Sequence, residues 1–445
     1  MKTAAISKCI SPYFIEALDL RNHPIKASKK KIRAEYFTAL KYLIEKTVLN
    51  TGCTHTDASR YIESRLSFYY TELFADTEIS TANEQYCVRC LSLCVSKPWR
   101  AKYRYLLLCD IALILLDKPL FVHAVSIVNT SLSQKRQKEL EQFLSLLFSS
   151  QELEKKHLIA APLVKQYRMN SLFLSQPAQR IIVTANMSAG KSTLINALVG
   201  KPIARTSQEV CTGNVCYLFN KAYEDEKIHL KTQDINLAAD PDDLRSYAWD
   251  GHISIASFFI GAASNVPRVC MIDTPGVDAA LYRAHSKLAH KALLEHQHDT
   301  IVYVISPNRL GTDSEKAHLQ WVSKNLPKSK IIFVLNKLDD YRDFSDSIEE
   351  SINGLREDLR MQSFDNPIIC PISAYFSYLL KLKMNGYPLT EDEEEEFALY
   401  SKKFKRSTYD LSRYYDVECQ PDDSDEVLLS KRAGLYGLEK ILYGG

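Results

Sequence analysis

Residues 181–200 read IIVTANMSAGKSTLINALVG, and the reading of this stretch decides the fold. Ile181, Ile182 and Val183 form a short unbroken apolar run of the kind that fills a central parallel strand. Beyond them, Leu194, Ile195, Leu198 and Val199 recur at helical spacing. Between the two lies Ala185-Asn186-Met187-Ser188-Ala189-Gly190-Lys191-Ser192, which follows the pattern GxxxxGK[ST]. In that pattern loop N–H groups wrap phosphates, the lysine reaches their outer oxygens, and the hydroxyl holds Mg²⁺. Ala185 stands where the first glycine is usual; its methyl is tolerated at negative φ and stiffens the loop. A strand, a phosphate loop and a helix start are therefore expected, with Asn186, Met187, Ser188, Ala189, Gly190, Lys191, Ser192 and Thr193 as the phosphate-side residues.

A phosphate loop alone does not choose between ATP and GTP, and three later pieces do. Arg268 to Ile272 is a strand-like run that ends in Asp273-Thr274-Pro275-Gly276. An aspartate at a strand's carboxyl end can meet Mg²⁺ through water, and a glycine N–H there can meet the γ-phosphate. Lys330 to Leu335 is another buried strand, running into Asn336-Lys337-Leu338-Asp339, an NKxD signature. Asp339 can accept from both the ring N–H and the exocyclic amine of guanine, a donor pair that adenine lacks on that edge. Pro367 to Pro371 is a third short strand, followed by Ser373-Ala374, where a backbone N–H can meet the base oxygen. The order of Lys191, Asp273 and Asn336 along the chain points to GTP, with Ser192 and Asp273 on the metal.

With these residues in place, the chain resembles the dynamin superfamily of GTPases, of the bacterial dynamin-like kind. The resemblance rests on SAGKSTLINALVG at Ser188 to Gly200, VCTGNVCYLF at Val210 to Phe219, DTPG, NKLD, and a closing Gly437 to Leu442 helix, and covers about residues 175 to 445. It implies that Ser188 neutralises charge on the bridging oxygen with the help of a monovalent cation. It also implies that Thr212, 20 residues beyond Ser192, closes over Mg²⁺ and orients the attacking water. Met187 and Val277 stand where related GTPases carry a glutamine, and neither can orient water, so a slow intrinsic rate is expected unless Thr212 or a dimer partner positions the nucleophile. Self-association through the GTPase domain follows from the resemblance, as does work at an anionic membrane surface or with a second dynamin-like protein. Era-like GTPases that act on ribosome or DNA machinery share much of the signature and give an alternative with nucleic acid as partner; a slow, GTP-bound scaffold is another. Dynamins that deform membranes use long stalks beyond the GTPase domain, and none is expected after Leu442-Tyr443-Gly444-Gly445.

The 445 residues have room for two or three domains, and 46% apolar with 25% charged residues describes an ordinary globular chain. Eleven cysteines are scattered, several within apolar runs (Cys109, Cys270, Cys370), which suits a reducing compartment and a cytoplasmic protein, peripheral to the membrane if it meets one. The longest apolar stretch, Tyr105 to Leu116, is broken by Asp110, so neither a transmembrane span nor an export signal is expected.

Residues 1–170 read as a basic α-helical domain, preceding an α/β GTPase domain at 171–445 with a mostly parallel sheet and helices on both faces. Helical stripes run over Ile32 to Val48, Asp57 to Phe74 and Gln134 to Phe148, with Tyr103 to Leu116 apolar all round as the central helix. The first 170 residues hold 25 Lys/Arg against 16 Asp/Glu, the rest 31 against 38. Lys26, Lys29, Lys30, Lys31 and Arg33 concentrate the excess, as a surface for anionic lipid or nucleic acid or as an ordinary solvated helix start. Cys87, Cys90 and Cys94 share a helical face but lack a fourth zinc ligand. Insertions are expected near 220–267 and 385–432. In the second, acidic Glu393 to Glu396 and basic Lys402 to Arg406 suit one exposed helix, with Lys402, Lys403, Lys405 and Arg406 as a candidate partner or lipid site.

Overall fold

The computed structural model describes residues 12–54, 56–77, 83–204, 215–246, 252–262, 266–277, 283–342 and 347–444. The chain divides into two compact units. One takes the chain up to Pro177 together with Lys221–Leu230 and Asp234–Ala239; the other takes Ala178–Asn220, Lys231–Gln233 and Asp240–Gly445.

The first unit is helical. Helices Lys30–Asn50, Asp57–Leu73, Glu84–Ser96, Lys118–Thr130, Gln134–Leu147 and Ala161–Ser175 accompany Ala101–Leu115, in which every residue from Tyr103 onward is buried. Asp110, the residue that interrupts the apolar run, is tolerated at the centre because three donors meet it: Tyr36 Oη at 2.6 Å, His23 Nε2 at 3.0 Å and Tyr69 Oη at 3.2 Å. A buried carboxylate is affordable only with such partners. A second buried pair joins Arg65 Nη1 to Glu16 Oε2 at 2.5 Å, and burial pushes the Glu16 carboxyl up to about 7. The segment after Asn220 packs here as well. Asp225 Oδ2 accepts from Leu18 N at 2.9 Å, Tyr223 Oη donates to the Ala17 carbonyl at 2.9 Å, and His229 Nδ1 meets the Phe14 carbonyl at 2.7 Å. Cys90 and Cys94 are core residues of the helix Glu84–Ser96, and burial raises both thiols, that of Cys94 to about 12. Among the described residues no group of three His, Cys, Asp or Glu side chains is placed to hold a metal ion.

The second unit is an α/β fold. Its strands are β1 (Gln179–Ala185), β2 (Cys216–Asn220), β5 (Ile253–Ser257), β6 (Val269–Asp273), β7 (Thr300–Ile305), β8 (Ile331–Leu335) and β9 (Ile368–Pro371); the short β3 (His229–Lys231) and β4 (Ile235–Asn236) lie between β2 and β5 in sequence. The order across the sheet is β4-β3-β5-β2-β6-β1-β7-β8-β9. Among the neighbours from β5 to β9 in that order, only the β2–β6 pairing is antiparallel. Ile181 to Ala185, Ile301 to Ile305 and Ile331 to Leu335 are buried without interruption, as strands covered on both faces must be. The register sets Val183 beside Asp273, Ala185 beside Val304 and Leu335 beside Pro371, so β1, β6, β8 and β9 finish along one edge of the sheet. In open parallel sheets this carboxyl edge is where ligands bind.

The last helix of the chain, Leu435–Tyr443, belongs to this unit. Gly434 precedes it at φ +87°, and a side chain there would strike the Pro371 carbonyl at 2.3 Å. Glu439 of the helix is buried and pairs with the buried Lys381, whose Nζ also donates to the Leu198 carbonyl at 3.0 Å. The other Glu439 oxygen accepts from Ala262 N at 2.6 Å. No helix among the described residues is long and apolar enough to cross a membrane.

Candidate functional site

The phosphate loop is built by backbone conformation before side chains contribute. Ser188 lies at φ +63° and Gly190 at φ +86°, and left-handed residues two apart curl the chain so that its amides face one concave surface, a nest for an anion. Gly190 is required twice over. Its φ is costly for any side chain, and a Cβ there would lie 2.3 Å from Asn336 Nδ2. The helix Lys191–Val199 begins at once, so the amides of Lys191, Ser192 and Thr193 are first-turn donors, which have no intrahelical acceptor. They reinforce the positive end of the helix dipole.

Around this loop the other expected residues gather. Lys191 Nζ pairs with Asp273 Oδ1 at the end of β6. Thr274 is buried and its Oγ1 donates to the Val183 carbonyl at 2.8 Å, which pins the Asp273–Gly276 segment to β1. Asn186 and Val277 form a parallel bridge, and a methyl on Gly276 would crowd Met187 at 3.1 Å, so the two loops touch along their length. Asn336 joins three loops. Its Nδ2 donates to the Ala189 carbonyl at 3.0 Å and its Oδ1 accepts from Ala374 N at 2.9 Å. Lys337 takes a left-handed backbone, φ +64°, immediately after. Asp339 is buried, and Ser373 Oγ donates to its Oδ1 at 2.6 Å. Burial raises the Asp339 carboxyl above the usual carboxylate range, and the Ser373 bond opposes that rise. Ser373 also caps the helix Ala374–Met384 and receives Phe376 N. Thr212 lies outside the described residues.

Two participants, Glu315 and Tyr303, were not foreseen from sequence, and two residues that were named, Asn186 and Lys403, take other partners than expected. Asn186, expected among the phosphate-side residues, turns its side chain into the protein, where Nδ2 donates to Glu315 Oε2 at 2.6 Å. Lys403, expected on an exposed face, instead donates to the Asp339 carbonyl at 2.6 Å and to the Tyr341 carbonyl, with its ammonium 4.4 Å from the centre of the Tyr409 ring. Tyr303 Oη donates to Glu315 Oε1 at 2.7 Å. A basic residue twelve or more positions from a motif carries no local signal that it will fold back on that motif. Chemically, the edge offers a concave set of amides and an ammonium for phosphates, one hydroxyl and one carboxylate for a divalent cation that completes its shell with phosphate and water, and a second, separate carboxylate for a base.

Residues 181–338 match the family model described as "Dynamin family". Among curated proteins, the probable transmembrane GTPase FZO-like, chloroplastic, of Arabidopsis thaliana is 27% identical over 220 residues, 49% of this chain and 21% of that protein. Dynamin-like protein A of Bacillus subtilis (strain 168) is 28% identical over 165 residues, 36% of this chain and 13% of that protein. The chain thus matches about a fifth or less of the length of these relatives. A solved bacterial dynamin pair, described as oligomerised and as a mechanism for long-range sensing and tethering of membranes, aligns over 89% of this chain and 60% of that one. The identity is 16% and the TM-score 0.37, too loose a superposition to carry weight. Residues 181–338, about a third of the chain, are thus similar to the dynamin family.

Proposed function

We propose that this chain binds GTP with Mg²⁺ and hydrolyses it to GDP, slowly when alone and faster when its GTPase units associate. The observation that carries the reading is Asn336, which ties the phosphate loop, through the Ala189 carbonyl, to the base-side loop at Ala374. Phosphate and base contacts are thereby held in one rigid piece. On GTP entry the Lys191 ammonium exchanges Asp273 for the β and γ oxygens, and Asp273 is released toward the metal side of the site with Ser192. A bound Mg²⁺ would supply charge neutralisation between the β and γ oxygens. Asp339 accepts from the guanine ring N–H and amine, and the amide of Ala374 or its neighbour meets the base oxygen. In keeping with the family, Ser188 acts on the bridging oxygen with a monovalent cation, and Thr212 orients water. Val277 is buried and Met187 lies against Gly276, so neither supplies a water-orienting amide, which supports slow turnover without a partner. Association through the GTPase unit, in the cytoplasm and at an anionic membrane surface, belongs to the same reading, and the basic excess of the helical region supports the last of these.

The test is GTP turnover measured across a roughly hundredfold dilution range, with Lys191→Ala as control. Specific activity is expected to rise with concentration, and the variant to lose about a hundredfold or more, as when one transition-state donor is removed. Flat specific activity sinks the association, and full activity in folded Lys191→Ala sinks the phosphate-loop assignment.

A further inference from the structure

Glu315 is a buried acid that the nucleotide chemistry does not use. It lies in the first turn of the helix Asp313–Asn325 and is 2% exposed. The groups that meet its carboxylate are two neutral donors, Asn186 Nδ2 and Tyr303 Oη, at 2.6 and 2.7 Å. A carboxylate buried on neutral donors is costly, and burial raises its affinity for a proton, while the two hydrogen bonds and the charge of Arg309 oppose the rise.

What that cost maintains is the entry to the phosphate loop. Asn186 is the first residue after β1, is buried, and uses its own carbonyl to accept from Ala189 N at 3.3 Å, which starts the turn. Its Oδ1 is buried without a hydrogen-bond partner, so the carboxamide is held by Nδ2 and therefore by Glu315. The helix that carries Glu315 is itself seated. His318 and Trp321 follow at a spacing of three on the same face. The His290 ring, on the helix Arg283–Glu295 beyond Asp273–Val277, stacks on Trp321 with centroids 3.6 Å apart and planes at 6°. His290 Nε2 is 3.4 Å from His318 Nδ1.

We propose that Glu315 is a positioning residue for the phosphate loop: through Asn186 it holds the loop's first turn in the curvature from which the amides and Lys191 reach phosphate, without touching phosphate itself. The proposal rests on the nucleotide-binding reading for its effect on GTP, but not for its effect on the loop.

The test reverses the hydrogen bond. Asn186→Asp sets a second carboxylate against Glu315 and is expected to weaken binding of a non-hydrolysable GTP analogue about a hundredfold. Adding Glu315→Gln lets the new amide donate to the new carboxylate while its oxygen still accepts from Tyr303, and affinity is expected to return to within about threefold of wild type. In parallel, amide hydrogen exchange of nucleotide-free protein at residues 187–190 should speed in Asn186→Asp and recover in the double variant, while β7 and β8 stay protected. A double variant that binds no better than Asn186→Asp, or an acceleration spread equally into β8, overturns the proposal. If wild type binds no guanine nucleotide, the proposed function fails by that result and the exchange measurement alone decides the role of Glu315.

Discussion

Asp339 performs its proposed task with a carboxyl that burial makes reluctant to ionise, so much of the favourable energy of guanine recognition lies in the two donors it receives. Replacement by Asn leaves an acceptor for Ser373 or for the ring N–H and introduces a donor where the guanine amine would be. Asp339→Asn should therefore lose roughly 1.5–3 kcal/mol of GTP affinity, about ten- to a hundredfold, and gain preference for XTP, whose carbonyl replaces that amine. Competitive binding of GTP, ATP and XTP checks this; wild-type preference for ATP would remove the base assignment. At this scale the sequence was informative wherever chemistry is contiguous. Gly190-Lys191-Ser192, Asp273 to Gly276 and Asn336 to Asp339 are each read within a few residues, because backbone turn and side chain must cooperate locally to bind phosphate or base. The Asn186–Glu315 bond joins residues 129 apart and the Lys403–Asp339 bond residues 64 apart. No spacing rule encodes such closures; they exist only once the sheet has ordered its strand ends.

At the scale of elements, long periodic stretches were legible and short ones were not. The helix expected over Gln134 to Phe148 is Gln134–Leu147, and the strand expected over Lys330 to Leu335 is Ile331–Leu335. Thr300–Ile305 carries no motif at its end to mark it in sequence, although it is an interior strand between β1 and β8. Within the insertion expected near 385–432, Ser407 to Lys431 holds two short 3₁₀ turns and then the helix Asp425–Arg432, capped by Ser424. The instructive departure is the helix Glu391–Phe404. Its capping box at Thr390 and Glu393 and its acidic first turn follow from local sequence, but its basic end is divided in use. Lys402 is exposed, whereas Lys403 holds the carbonyls of Asp339 and Tyr341. Lys403→Ala is expected to lower GTP affinity by about fivefold, the worth of roughly 1 kcal/mol of lost hydrogen bonding at a half-exposed site, with Lys402→Ala unchanged. Equilibrium titration with a fluorescent guanine nucleotide distinguishes the two, and equal effects would return Lys403 to the surface.

For the whole molecule, each of the two units holds a buried ion pair. In the helical unit, Glu16 has its carboxyl raised by burial from 4.5 to about 7, with Arg65 opposing the rise. The folded state therefore binds this proton more tightly than the unfolded chain does, and the stability it contributes is present below about 4.5 and declines as pH rises through about 7. One such proton is worth at most about 1.4 kcal/mol per pH unit. Urea midpoints of the intact chain across that window should show this downward component, and Glu16→Gln should flatten it; an identical slope in the variant removes the assignment. The α/β unit holds the other pair. Lys381 and Glu439, 58 residues apart in the chain, are both buried and jointly receive the end of the phosphate-loop helix and the Ala262 amide. Loss of either charge strands the other, at about 3–5 kcal/mol, while replacement of both by well-packed apolar residues can be nearly neutral. Each single step away from the pair thus descends into a fitness valley, and the far side is reached only by two changes together. In a library that randomises both codons, survivors should fall into two islands, one ionic and one greasy, with no path of single substitutions between them.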